Sequence, residues 1–361
     1  MPVRTLLAAA ALALVVGGSA VDAQPLRLGS DVTLELSGGI QPRLSLGIEG
    51  ADDTERLGFG LRRARFQFRV ALGDRFGLEY DLDATPGDVR SVDLFAFADL
   101  GDRVQLRAGR LPPAQLRAFA PTSYTRIDAV DRAAIAERWA DGTIGASGRD
   151  IGLDVTARAG RTELALTVHN GTGGFGREVD NFRESSSDPS VTRGTDRLAL
   201  AFSGSAHHQA GSGVSFGGFA SGSARGNERT ALGEAERGYA TAGGHLYWGE
   251  RPGSQPVRVK LDAVGTAYES VGDVRQRSAG VSLLGAARVL VHGEAFARAE
   301  HYWADVDVEG TTYGTAGLSY SPSAALGRDY RDGRLTLAYT VRRDPSGDLG
   351  HLAVLQGQIV F

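Results

Sequence analysis

Apolar and polar residues alternate with a period of two through most of this chain. The clearest run is Ala64-Arg65-Phe66-Gln67-Phe68-Arg69-Val70-Ala71-Leu72, with Ala64, Phe66, Phe68, Val70 and Leu72 on one face and Arg63, Arg65, Gln67 and Arg69 on the other. After Gly73-Asp74-Arg75 the pattern resumes, with Phe76, Leu78, Tyr80 and Leu82 against Glu79, Asp81 and Asp83. Two such runs joined by a Gly-Asp turn predict an antiparallel hairpin. The same signature returns at 150–158, 162–169, 197–203, 257–263, 334–342 and 351–361, and in a Gly/Ala-rich form at 213–222 and 278–287. Together the runs predict about 16 strands, each near the ~9–11 residues that a tilted membrane strand requires. The turns at 73–75, 101–103 and 160–161 are tight, whereas the connections at 111–149 and 171–195 are long. Short turns at one end and long loops at the other are the asymmetry of a membrane barrel.

The polar faces decide which way such strands turn. A soluble sandwich also alternates, but its apolar face points inward and its wet face mixes Lys, Glu, Ser and Thr. Here three arginines stand opposite three acids in the first hairpin, and the only lysine of the chain is Lys260. A closed barrel accommodates this by turning its apolar face to lipid and its charges to a wet lumen. The predicted class is therefore all-β: a transmembrane antiparallel β-barrel with one long loop folded inward.

The N-terminus is read as a leader. Arg4 precedes the apolar run 6–16, and Val21-Asp22-Ala23 has the small-residue form of a cleavage site, so residues 1–23 are expected to be a signal peptide and 24–361 the barrel domain. With 0 Cys there is neither a disulfide framework nor a cysteine zinc site. The net charge of −4 offers no footing for nucleic acid. Beyond the leader no apolar run reaches the ~18 residues of a spanning helix. The chain ends Gln358-Ile359-Val360-Phe361, and a strand finishing on a terminal Phe resembles the signal by which the barrel-assembly machinery recognises outer-membrane proteins.

Five segments in order, Leu61–Arg65, Leu78–Asp81, Arg107–Pro113, Arg149–Leu153 and His169–Gly173, resemble the phosphate-selective porin O/P family over about residues 30–175. The resemblance implies a 16-stranded, usually trimeric outer-membrane porin for small hydrophilic solutes, some members preferring phosphate or polyphosphate. This chain departs from the family in its scarcity of lysine and in Pro112, which stands where family members often carry lysine.

Alternation puts Arg63, Arg65 and Arg69 on the expected lumen face, joined by Arg107 if Val104, Leu106 and Ala108 face lipid. Glu79, Asp81 and Asp83 on the neighbouring strand are expected to share that lumen and neutralise part of its charge. The loop 111–149 is the third long connection; its apolar content predicts packing inside the barrel as a constriction, with a short helix over Ala129–Trp139. Arg117, Arg126, Arg132 and Arg138 are then the candidate gate residues.

Other motifs carry less. Gly213-Val214-Ser215-Phe216-Gly217 matches a nucleophile elbow but sits in an expected strand. His207-His208 is assigned to a turn, and Asp305, Asp307 and Glu309 to a solvated strand end. No metal and no cofactor is expected. A barrel enzyme would need a convergent Ser/His/acid set, and a structural or adhesive barrel a plugged lumen; both are alternatives to the porin.

Overall fold

In the computed structural model of the chain, the described residues are 25–49, 54–85, 88–144, 147–171, 176–178, 191–193, 200–230, 233–269 and 275–361. The expected leader and most of the connection 171–195 lie outside them.

Sixteen strands follow one another around the wall. They are β1 (Val32–Glu49), β2 (Thr54–Leu72), β3 (Phe76–Thr85), β4 (Asp88–Leu100), β5 (Val104–Leu111), β6 (Asp150–Ala159), β7 (Thr162–His169) and β8 (Ala201–Gly211). The second half comprises β9 (Val214–Thr230), β10 (Gly233–Trp248), β11 (Val257–Glu269), β12 (Arg275–Leu290), β13 (Gly293–Trp303), β14 (Thr311–Tyr320), β15 (Gly333–Arg343) and β16 (Leu349–Val360). Each pairs antiparallel with the next, and β16 closes on β1 with Leu355 opposite Leu44 and Val360 opposite Gly39. Closure leaves no strand edge unpaired. Leu26–Arg27 and the small parallel pair Gly176–Glu178 with Val191–Arg193 lie outside this ring of sixteen.

Strand length is where the pattern of residues was least informative. The Gly/Ser-rich run expected at 213–222 continues to Thr230, because glycine and serine carry no alternation to read although their backbone pairs normally. His207 and His208 lie inside β8, not in a turn; the turn is made by Ser212 and Gly213, at φ 54 and 79. The helix expected over Ala129–Trp139 starts later, as α1 (Ala134–Thr143).

The wall is inverted relative to a soluble protein. On β11, Val257, Val259 and Leu261 are 43%, 39% and 40% exposed, while Arg258, Lys260 and Asp262 between them are 1%, 6% and 5% exposed. Leu57, Phe59, Leu166 and Phe202 are also exposed. Such an apolar outer belt around a polar interior suits hydrocarbon outside and water within.

Glycines admit rings on the inner side. Phe97 faces Gly77 across β3 and β4, Phe95 faces Gly109, Phe219 faces Gly243 and Phe296 faces Gly317. A Cβ on Gly77 would sit 2.4 Å from the Phe97 ring and 2.4 Å from the Val70 carbonyl oxygen. Each ring thus covers backbone that its partner's missing side chain leaves bare.

Two substitutions test this packing. Gly77→Val should cost about 1–3 kcal/mol by overfilling the joint with Phe97, read as a lower temperature for loss of the compact band in heat-modifiable electrophoresis. Leu261→Arg on the outer belt should cost about 2–4 kcal/mol in bilayer unfolding titrations. A neutral result would place Leu261 away from lipid.

Candidate functional site

The connection between β5 and β6 crosses the interior. Its Leu116, Phe119, Ile135, Trp139 and Ile144 pack against Ala201, Phe219, Tyr239, Val264 and Tyr268 on β8–β11. Ala129 and Val130 pack against Leu284, Phe296, Ala338 and Val354 on β12, β13, β15 and β16. The Gly/Ala-rich strands are the ones that receive it: a Cβ on Gly280 would sit 2.5 Å from Ile135. Trp139 packs edge-on to Phe219 at 5.3 Å and donates its indole N–H to Thr241 Oγ1 at 2.9 Å.

A chain segment inside a barrel has no neighbouring strand, so its carbonyls need other donors. The wall supplies them. Gln41 and Gln358 donate to the carbonyls of Tyr124 and Thr125. Arg334 donates to that of Ile127, Arg43 to that of Val130, and Arg298 to those of Asp131 and Arg132. At the start of α1, Ala133 provides no side-chain cap, and Glu300 of β13 accepts the Ala134 N–H at 2.5 Å. That carboxylate also meets the positive end of the helix, which explains why the helix begins at Ala134 and not at Ala129.

Two aspartates fasten the segment. Asp128 is held by Arg258 and, at 2.8 Å, by Lys260; Arg258 also pairs with Glu294 at 3.0 Å. Asp131 lies 3.0 Å from Arg43 and 2.8 Å from Arg62. Burial by itself would raise both carboxyls, but the paired cations outweigh it and hold Asp128 and Asp131 at about 2.

Between this segment and β2–β5 an open space of about 970 Å³ remains toward the long-loop end. Its lining carries Arg62, Arg63, Arg65, Arg90, Arg110, Arg132, Arg138 and Arg149 against only Asp83 and Glu137. A smaller space of about 210 Å³ lies toward the short-turn end, beside Arg107, Arg117, Asp154 and His207.

The residues singled out from sequence occupy different settings. Arg63 is buried and donates to Gln41, whereas Arg65 pairs with Asp83 at 3.2 Å and stacks over Tyr124. Arg69 lies 4.7 Å over the Phe97 ring, and the neighbouring Glu79 accepts the Gln67 amide instead. Asp81 faces Asp93 in register, and one of its carboxylate oxygens is buried without a hydrogen bond. Arg107 grips Asp154 at 2.7 Å under Phe95. In the crossing segment, Arg117 reaches Glu250 at 3.4 Å and Arg138 is exposed to the larger space. Arg126 is exposed, with its pKa lowered by partial burial and by Arg331, Arg251 and Arg117. Arg132 is buried and donates to the carbonyls of Ala118, Phe119 and Thr122, so it braces the segment. Burial and the cations of Arg63, Arg149 and Arg65 oppose its charge.

Strict alternation missed several participants. Between Gln41 and Pro42 the register of β1 and β2 slips, so Arg62 is an extra residue of a bulge and turns inward beside Arg63. Arg43 and Arg110 lie on strands that alternate weakly, and Arg149 lies in the connection just before β6, so alternation assigns none of them to the lumen face. A chain of buried hydrogen bonds was also invisible. Asp150 Oδ2 lies 2.8 Å from His169 Nδ1, His169 Nε2 lies 2.7 Å from Ser203 Oγ, and Ser203 continues to Ser221 at 2.6 Å. The order of groups is that of a hydrolytic triad, yet Asp150, His169 and Ser203 are 0%, 2% and 4% exposed.

Removing one anchor should free the segment. Asp128→Asn leaves Arg258 and Lys260 without their shared carboxylate, a loss on the order of 3 kcal/mol, expected as a lower thermal midpoint. The acid limit follows from sign. A carboxyl lowered from 3.8 to about 2 contributes stability that is complete above about pH 4 and disappears as pH falls through 2. Wild-type thermal stability should therefore retain the Asp131 contribution down to pH 4, whereas Asp131→Asn should be lower throughout that range.

No protein-family model and no curated protein matches the chain, so the resemblance to the phosphate-selective porins gains no support there. Solved structures do match. An anion-selective porin from Comamonas acidovorans shares 12% identity at a TM-score of 0.66, over 92% of this chain and 100% of that one. The outer-membrane channel DcaP of Acinetobacter baumannii shares 14% at 0.62, over 93% and 99%. The trimer form of OmpT, an outer-membrane protein of Vibrio cholerae, shares 10% at 0.58, over 92% and 100%. What the chain has in common with these proteins is the closed antiparallel barrel.

Proposed function

We propose that the chain is an outer-membrane porin through which small hydrophilic solutes diffuse passively, with a preference for anions. The observation that carries this reading is the space of about 970 Å³ between the crossing segment and β2–β5: eight arginines line it, and although Arg62, Arg65, Arg90 and Arg149 pair with Asp131, Asp83, Asp88 and Asp93, Arg63 and Arg138 have no carboxylate partner among the described ion pairs. Fixed positive charge in a confined aqueous path concentrates anions and excludes cations. Phosphate falls within the preferred class, since a guanidinium fork accepts two of its oxygens. Outer-membrane residence after removal of residues 1–23, delivery by the barrel-assembly machinery through the strand ending at Phe361, and a homotrimer complete the reading. The apolar outer belt, the terminal Phe and the trimeric form of the Vibrio cholerae neighbour support these points.

Purified protein in planar bilayers should give stepwise currents, and reversal potentials in a salt gradient should indicate anion preference. Replacing Arg63, Arg65 and Arg138 together by Gln should lower the anion-to-cation permeability ratio by about threefold or more, by loss of charge beside the path. Cation preference in the wild type would defeat the anion reading, and folded protein without current would defeat the porin. Added phosphate should reduce chloride current.

The Asp150–His169–Ser203 chain supports a second reading, an esterase-like activity on the inner wall. Burial and the Ser203–Ser221 hydrogen bond favour a structural role. A fluorophosphonate probe should leave the folded protein unlabelled; covalent labelling of Ser203 would establish the enzyme.

A further inference from the structure

His207 on β8, Gly217 on β9 and His245 on β10 stand in register across three adjacent strands. Glycine in the middle is what lets the outer two meet: a Cβ on Gly217 would lie 2.7 Å from the His245 ring. The imidazoles stack over it with centroids 5.2 Å apart, and His207 Nδ1 lies 3.0 Å from His245 Nε2. The other nitrogen of His207 lies 3.0 Å from Glu250 Oε1, which also accepts the Ser215 hydroxyl at 2.7 Å. Both histidines line the space of about 210 Å³ at the short-turn end of the path.

We infer that His207 and His245 are selectivity-determining residues, a proton-loaded pair that raises the anion preference of the short-turn end as pH falls. The inference rests on the porin reading. Hydrogen-bond bookkeeping gives the capacity of the pair. With both rings neutral, one of the two facing nitrogens donates to the other, while His207 Nε2 lies 3.0 Å from the Glu250 carboxylate. One more proton fits on the pair, with His207 between the Glu250 carboxylate and the facing His245 nitrogen, and leaves both contacts intact. A further proton would set hydrogens on the two facing nitrogens and break the 3.0 Å contact. The pair can therefore take up one charge on acidification without losing the contact between the rings.

The surroundings leave that charge effective. The crossing segment presents Arg117, which with Glu250 forms an ion pair at 3.4 Å. On β10 the neighbour is Tyr247, stacked on His245 at 4.9 Å. Across the space, β5 and β6 present Arg107 already paired with Asp154, and on the adjacent β7 Glu163 faces His207 in register and pairs with Arg158 of β6 at 3.0 Å. Glu250, Asp154 and Glu163 are matched by cations of their own, and Asp262 of β11, which faces His245 in register, accepts the Tyr247 hydroxyl at 2.6 Å; the proton on the pair adds positive charge to the path.

Reversal potentials of the full-length wild-type channel, measured in one KCl gradient at pH 8 and pH 5, test this. A single charge at ~7 Å from the ion path in water should raise the anion-to-cation permeability ratio by about threefold on acidification. The double variant His207→Gln, His245→Gln should have a ratio that does not rise, while His208→Gln, whose ring bonds Thr162 and lies against Phe216, should behave as wild type. If the double variant does not fold, His245→Gln alone should remove most of the rise. A wild-type ratio that stays constant between the two pH values, or a rise that survives in the variants, overturns the inference while leaving the porin intact. Folded protein that carries no current at either pH overturns the porin reading itself.

Discussion

Everything inside this barrel depends on satisfying the backbone of a segment that crosses it without a strand to pair with. Six consecutive or near-consecutive carbonyls between Tyr124 and Arg132 accept from side chains of Gln41, Arg43, Arg298, Arg334 and Gln358. Arginine suits the task because its long stem reaches from the wall and its fork can bridge two carbonyls, as Arg298 does. Asp128 and Asp131 add electrostatic anchors through Arg258, Lys260, Arg62 and Arg43, the last of which also serves the Val130 carbonyl. The barrel supplies the donors, the loop supplies the acceptors, and the position of the constriction follows.

That arrangement divides the arginines into two populations. Arg43, Arg258, Arg298 and Arg334 are committed to the crossing segment, and Arg132 from within it serves the same end. Arg63, Arg65, Arg138 and their neighbours border the open space on the other side, where carboxylates are outnumbered. Arginine count alone would therefore overstate the charge that borders the open space. The positive charge that borders this space therefore rests on Arg63 and Arg138, which have no carboxylate partner among the described ion pairs, and not on the total.

Small residues hold both functions in place. Glycines opposite Phe95, Phe97, Phe219 and Phe296 let aromatic rings lie flat on the inner wall, and Gly280 admits Ile135 of the helix. Gly217 brings two histidines together by the same device. The many glycines are thus recesses that determine which side chains can meet.

Much of the architecture was legible from local pattern. Period-two alternation, with Val257, Val259 and Leu261 on one face and Arg258, Lys260 and Asp262 on the other, determined strands and an inverted wall, because strand geometry sends successive side chains to opposite faces. The length and apolar content of residues 111–149 likewise indicated a loop packed inward. The structure decided what depends on register between distant strands. A bulge turned Arg62 inward, Glu300 displaced the start of α1 to Ala134, and three aligned strands joined His207 to His245 across Gly217. Alternation reports which face a residue takes; only the closed barrel fixes which residues lie opposite one another, and charge pairing falls off over that distance. Hence the sequence by itself determined the wall, and the tertiary structure decided which of its charges are bound to the loop and which border the open space.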